Sequence, residues 1–275
     1  MACDHQESKI WTRAGVRIAA ANLLAVAAFV VLAFSPGVAA GSETIYTSYI
    51  YSSIGVLHQD PNYTSCVATS SEMMLNMTTY QADLSYLSSS NEVFQSPLRW
   101  HQDPSYAKQE EILAYARASM TMLTTSAGTD PHGWRNALNY YGWGNIHAGV
   151  YRDSSYASFD ETATAVVTAL ARHNRPVGIL ARSGTHVQLV TGYVVTGTDP
   201  AISDVFTIQG AYLTDPPLTA VMRGYYVPMA TWRSGISAVR FSAYTESDSR
   251  YVDGIDGHVG TAEWYGTWVI IDPVR

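Results

Sequence analysis

Apolar residues in the first half of the chain recur at helical spacing. After Cys66, the apolar residues Val67, Met73, Met74 and Met77 return to one face with polar residues between them, which predicts a helix that begins at Cys66. Caps and prolines mark the beginnings of later helices, because they satisfy or tolerate the free N–H groups of a first turn. Three later helices are predicted: residues 107–122 from their apolar spacing, residues 131–142 with Asp130 as N-cap, and residues 161–173 with Asp160 as N-cap.

The pattern changes after Pro176, where runs of β-branched and aromatic residues are separated by turn sequences such as Asp-Pro-Pro. Such runs predict short strands that pair in antiparallel fashion. The predicted strands are residues 177–181, 186–195, 205–213, 224–227 and 264–271, with one or two short strands at 45–56 and a strand with a turn at 140–151. This order predicts an α+β fold, with N-terminal helices packed on a C-terminal antiparallel sheet.

The N-terminus has the three parts of a secretory signal peptide. Residues 1–17 are polar and basic, residues 18–34 are apolar and uncharged, and small residues follow a helix-breaking Pro-Gly pair up to Ala40. We therefore expect residues 1–40 to be a signal peptide that is cleaved after Ala40. The alternative is an uncleaved anchor, because the apolar run is at the short end of what spans a bilayer. In both cases residues 41–275 form one domain that is secreted or otherwise outside the cytoplasm.

Composition narrows the classes of function. Of the 275 residues, 47% are hydrophobic and 14% are charged, which argues against disorder. The net charge is −7, and no basic patch is visible, so we expect no nucleic-acid partner. If the signal peptide is cleaved, no stable membrane span remains. The histidines and cysteines lack the spacing of a zinc finger or an HExxH site, so we expect neither a metal nor another cofactor.

The hypothesis of a catalytic function depends on Cys66. The chain has two cysteines, and Cys3 lies in the segment that we expect to be removed. The mature protein would then hold one unpaired cysteine in a compartment that permits disulfides. A thiol in the first turn of a helix has its thiolate form favoured by the unpaired N–H groups there. The alternative is a buried, inert cysteine that packs as a small hydrophobic residue.

Three further residues are candidates for a site with Cys66. Gln59 lies seven residues before the cysteine and can offer a side-chain N–H to an oxyanion, while His186 and Asp215 fall in or after strand-like sequence. Each also has a structural alternative: Gln59 as a loop residue, His186 as a satisfied sheet histidine, and Asp215 as a turn residue before two prolines. Gln188 shares the strand face of His186 and either lines a cleft or satisfies a neighbour. The other histidines have no partner pattern and are interpreted as surface or structural residues: His101, His132, His147, His173 and His258.

Four stretches of the chain resemble a known family. They are QDPNYTSCVATSSEMML around Cys66, GTDPHGWRNALNYYGW, RPVGILARSGTHVQLVTGY around His186, and YLTDPP around Asp215. Together, over roughly residues 55–220, they resemble the stand-alone exported relatives of bacteriocin-processing (double-glycine-leader) peptidases, which are papain-like cysteine peptidases. The chain departs from the family pattern in two places: Val67-Ala68 stand where many relatives have Gly-Pro, and Thr185 stands where Gly usually precedes the histidine.

The resemblance implies a papain-like fold and a role for each candidate. Cys66 would be the nucleophile, His186 the general base and acid, Asp215 the residue that orients His186, and Gln59 the oxyanion donor. The leading expectation is a cysteine peptidase or amidase that cleaves a peptide or protein substrate through an acyl-enzyme. Two alternatives stay open: an acyl transferase that uses the same Cys–His pair, and a non-catalytic extracellular binding module on the same fold.

Overall fold

The computed structural model describes residues 43–50, 59, 66–86, 107–124, 128–144, 147, 149–216, 224–235, 251–253 and 264–275. These all belong to one compact unit, Ser42–Arg275. The predicted signal peptide and its cleavage site lie outside the described residues, as do His101 and His258. Within the described part of the chain, no helix combines the length and the apolar character that a membrane crossing requires.

Five α-helices and nine strands are present in the described residues. The helices are α1 (Cys66–Tyr86), α2 (Ala107–Ala118), α3 (Pro131–Trp143), α4 (Phe159–His173) and α5 (Met229–Ser234). The strands are β1 (Ile45–Tyr49), β2 (Met122–Thr124), β3 (Tyr151–Tyr156), β4 (Val177–Ala181), β5 (His186–Gly197), β6 (Phe206–Thr214), β7 (Tyr225–Pro228), β8 (Tyr251–Asp253) and β9 (Trp268–Pro273). The predicted α+β organisation is confirmed, with helices mostly in the N-terminal half and the sheet mostly in the C-terminal half.

One antiparallel sheet organises the fold. Its strands follow the order β3-β9-β4-β5-β6-β7, and β1 adds a further strand by pairing with the second half of β5. The centre of this sheet is β5, because β4 pairs with its first half and β6 follows almost its full length. The strands β2 and β8 form a separate two-stranded pair.

Helices cover both faces of the sheet. Along β4, Ile179 packs in a core cluster with α4, whereas the next residue, Leu180, packs in a cluster with α1 and α3. The same alternation occurs in β9, where Ile270 faces the α4 cluster and Ile271 faces the other. Successive side chains of a strand point to opposite faces, so the two clusters are two layers of core separated by the sheet.

Local sequence explains where α3 begins and ends. Asp130 is its N-cap and accepts a hydrogen bond from the Gly133 N–H, and Pro131 occupies the first turn, as predicted. The helix extends one residue beyond the predicted Gly142 to Trp143, and its C-cap is Gly144, whose φ of 73° is left-handed. The face that carries Trp134 packs on β4, where a Cβ on Gly178 would lie 2.4 Å from the Trp134 ring. Glycine at position 178 therefore lets α3 approach the sheet closely.

Several predicted boundaries were wrong. The N-cap of α4 is Ser158, whose side chain accepts from the Glu161 N–H, and Asp160 lies inside the first turn. The helix α2 ends at Ala118, four residues earlier than predicted, and the strand β2 follows it. Residues 140–143 are helical, and the strand predicted at 140–151 begins only at Tyr151 and runs to Tyr156. The last strand begins at Trp268, because a turn occupies residues 264–267.

Candidate active site

Cys66 is the first residue of α1, as the sequence predicts. Its backbone N–H is therefore among the N–H groups at a helix N-terminus that have no partner within the helix. The thiol is free of disulfides, and the residue is 8% exposed, at the edge of the core cluster that α1 and α3 share. This placement suits a thiolate electrostatically, but it leaves little of the cysteine open to solvent.

His186 and Asp215 lie next to each other at the ends of two neighbouring strands. His186 is the first residue of β5, and Asp215 directly follows the last residue of β6, the neighbouring antiparallel strand. The His186 Nε2 and the Asp215 Oδ1 are 2.7 Å apart, and the two side chains are 13% and 15% exposed. A pair this short and this shielded from water fixes the orientation of the imidazole ring.

Cys66 is a second partner of His186. Burial lowers the pKa of His186, but hydrogen bonds with Asp215 and Cys66, together with the negative charges of both, outweigh burial and raise the pKa to about 9. Because Nε2 is bonded to Asp215, Nδ1 is the ring nitrogen available to the thiol. The structure therefore brings Cys66, His186 and Asp215 together in a chain of contacts, from α1 to β5 to the end of β6.

Gln59, the fourth candidate, precedes α1 and is 8% exposed. Its neighbours at 51–58 and 60–65 lie outside the described residues. The buried position suits a side chain that is held in place, and the assignment of Gln59 as oxyanion donor stays a prediction.

Gln188 has a contact that the sequence did not reveal. It is fully buried in β5, and its Nε2 donates a hydrogen bond to the Asp215 Oδ2 at 2.8 Å. Strand alternation predicts that Gln188 shares a face with His186. The contact with Asp215 depends in addition on how β5 and β6 align, which the sequence alone does not specify.

A second histidine–aspartate pair lies on α3 and β3. The His132 Nε2 is 3.2 Å from the Asp153 Oδ2, and the Arg135 Nη1 is 2.5 Å from the Asp153 Oδ1. The His132 Nδ1 lies 2.6 Å from the Thr121 Oγ1, and Thr121 also donates to the N-cap Asp130. Burial lowers the pKa of His132, but Asp153 outweighs it and raises the pKa. The interpretation of His132 as structural fits these contacts, although its partners were missed in the sequence.

Among the described residues, no group of three or more His, Cys, Asp or Glu side chains is arranged to hold a metal ion. Comparisons of the chain with models of protein families, with curated proteins and with solved structures found no match. Any function proposed for the chain therefore rests on its own residues and on the motifs that surround them.

Proposed function

We propose that this protein is an exported cysteine peptidase or amidase of the papain-like class. The observation that carries the proposal is the position of His186, whose Nε2 lies 2.7 Å from the Asp215 Oδ1 and whose charged form Cys66 also stabilises. A nucleophile at a helix N-terminus, a base that contacts it and a carboxylate that orients the base are the three parts that activated-thiol catalysis requires. The resemblance of the four stretches to bacteriocin-processing peptidases supports the same assignment.

In the proposed reaction, the Cys66 thiolate attacks the carbonyl carbon of a peptide or amide bond. The resulting oxyanion is stabilised by the Cys66 N–H and by the Gln59 side chain, a donor of a kind worth about 10²–10³ in kcat. The His186 imidazolium then protonates the leaving amine, and a thioester to Cys66 remains. Finally His186 takes a proton from water, the hydroxide attacks the thioester, and the carboxylic acid and the Cys66–His186 pair are restored.

The architecture supports the papain-like assignment. The candidate nucleophile begins a helix in the N-terminal half, and the candidate base and carboxylate come from adjacent antiparallel strands in the C-terminal half. This distribution is what the resemblance implies for such a fold. We include export in the proposal, with residues 1–40 as the signal and residues 41–275 as the mature enzyme.

The low exposure of Cys66 favours a second candidate, a non-catalytic binding module with an inert cysteine. At 8% exposed, the thiol is as shielded as many structural cysteines. The contact with His186 argues against this candidate, because an inert core cysteine has no need of a charged partner. An acyl transferase would use the same three residues, and it differs only in accepting an amine in place of water.

We predict that Cys66→Ser abolishes hydrolysis, because a serine hydroxyl is far less acidic than a thiol and does not form an ion pair with His186. The measurement is turnover of a fluorogenic peptide library by the wild-type protein and the variant, with far-UV circular dichroism to show that the fold is kept. Retained turnover in the Cys66→Ser variant would rule out the mechanism.

The same library, supplemented with an ordinary primary amine such as glycinamide, separates hydrolysis from acyl transfer. A hydrolase gives mostly free acid, whereas a transferase gives mostly the amine adduct. Both outcomes require Cys66, so the assay distinguishes the two fates of the acyl-enzyme without changing the proposed nucleophile.

A further inference from the structure

Gln188 and Asp215 are cross-strand neighbours. In the antiparallel pairing of β5 with β6, Leu189 lies opposite Thr214, so the next position on each strand places Gln188 opposite Asp215. Side chains that are directly opposite in such a pair have Cβ atoms about 4.5–5.5 Å apart, which is within reach of a hydrogen bond between a glutamine and an aspartate. His186 is two residues earlier and shares the face of Gln188.

The two carboxylate oxygens of Asp215 have separate partners. Oδ1 contacts the His186 Nε2 at 2.7 Å, and Oδ2 accepts from the Gln188 Nε2 at 2.8 Å. The terminal torsion of an aspartate is soft, so a carboxylate with one partner can turn about it. A second, buried donor restrains that torsion and holds Oδ1 toward the imidazole. Gln188 is fully buried, so the pair is shielded from competing water.

We propose that Gln188 is a positioning residue of the active site, which fixes the Asp215 carboxylate so that His186 keeps its ring directed at Cys66. This inference rests on the proposed function. Gln188 has no role in the chemical steps themselves. It acts through Asp215 on the orientation and the charge of His186, and through His186 on the thiolate.

The consequence is a pH-dependent change in thiol reactivity. Among the described residues, the ionisable groups that act on His186 are Cys66 from α1 and Asp215 after β6. Without the Gln188 amide, Asp215 turns away more often and the imidazolium loses stabilisation. The Cys66–His186 pair is then weaker at mildly acidic pH, where a thiol needs a charged partner to react, whereas well above neutral pH an ordinary thiol reacts without such help. The defect should therefore be large at pH 6 and small at pH 9.5.

The experiment measures the rate at which iodoacetamide alkylates Cys66 in the full chain, followed by mass spectrometry of the Cys66 peptide between pH 5 and 10. We expect Gln188→Leu to slow the reaction at pH 6 by about 10- to 100-fold, by analogy with the effect of removing the hydrogen-bond partners that orient metal-binding histidines. At pH 9.5 the rate should be within about twofold of wild type. A purely structural role would lower stability without this dependence on pH.

The matched control is Gln209→Leu. The Gln209 side chain also makes a hydrogen bond between β6 and β5, to the Thr196 Oγ1 at 3.2 Å, but it is exposed and lies toward the other end of the strand pair. We expect the control to follow the wild-type pH profile. In the double variant His186→Ala/Gln188→Leu, the glutamine should have no further effect, because its action passes through His186.

The possible results of the alkylation experiment test the role of Gln188 separately from the proposed function. Fast, His186-dependent alkylation at pH 6 that Gln188→Leu leaves unchanged would overturn the role of Gln188 and leave the Cys66–His186 pair intact. Slow alkylation of the wild type at pH 6, unaffected by His186→Ala, would overturn both. If leucine prevents folding, Gln188→Met, which keeps the length of the side chain but has no N–H to donate to Asp215, is expected to give the same selective loss at pH 6.

Discussion

His186 combines two opposing effects in one side chain. Burial disfavours its charged form, yet Asp215 and Cys66 reverse that preference and raise the pKa to about 9. A histidine that stays protonated through neutral pH can hold a thiolate and then supply a proton to a leaving amine. In the proposed mechanism, His186 would therefore already be charged when a substrate binds.

This raised pKa predicts a pH dependence of stability. A histidine whose pKa is higher in the folded state binds its proton more tightly there, so its stabilisation is complete below about pH 6.5 and is lost as the pH rises through about 9. We expect the free energy of unfolding of the wild type to fall by up to about 3 kcal/mol over this range because of His186 alone. The measurement is urea unfolding at pH 6 and pH 9.5.

The variant His186→Gln removes the titrating group and serves as the comparison. The difference in unfolding free energy between wild type and variant should shrink from pH 6 to pH 9.5. Subtracting the variant also removes the contribution of His132, whose pKa is raised as well. A difference that stays constant across the range would contradict the charge assigned to His186.

Among the elements, α3 shows how much the sequence could predict. Its first turn follows from Asp130 and Pro131, and the structure places both as predicted. The strand β3 was missed because its central residues are polar: Arg152, Asp153 and Ser154 lie on an edge strand and pair with other charged or polar groups. Hydrophobic alternation does not report such a strand, since its stability comes from partners that are distant in the sequence.

Asp130 should stabilise the N-terminal half of α3. Its carboxylate accepts from the Gly133 N–H at 2.7 Å, from the Thr121 N–H at 2.9 Å and from the Thr121 Oγ1 at 3.0 Å. We predict that Asp130→Ala lowers the free energy of unfolding by about 2 kcal/mol, the upper end of the range for lost N-caps, because buried donors lose their acceptor. Thermal and urea unfolding measure the change.

Two further variants serve as comparisons for the Asp130→Ala prediction. Asp130→Asn keeps an N-cap oxygen and should cost clearly less than alanine. Ser158→Ala removes the N-cap of α4, which makes a longer, exposed bond of 3.3 Å, and should cost about 0.5–1 kcal/mol. If Asp130→Ala destabilises no more than Ser158→Ala, the network between Asp130 and Thr121 does not contribute as described.

At the scale of the whole molecule, the site exists because distant segments converge on one sheet. Cys66 comes from a helix of the layer shared by α1 and α3, whereas His186 and Asp215 come from neighbouring strands. The four candidate residues came from motifs and from a family resemblance, and the sequence placed Cys66 at a helix N-terminus. The partner of Gln188 was beyond sequence reasoning, because it depends on the β5–β6 register, which is irregular at two points.

The pH dependence of Cys66 alkylation by iodoacetamide tests the central claim most directly, because it needs no knowledge of the substrate. The measurement compares the wild-type protein with His186→Ala between pH 5 and 10. An ion pair of Cys66 with His186 predicts a fast reaction that persists well below pH 8 and that His186→Ala abolishes. A slow reaction that follows an ordinary thiol and is unchanged in His186→Ala would contradict the catalytic account and favour a binding module with an inert cysteine.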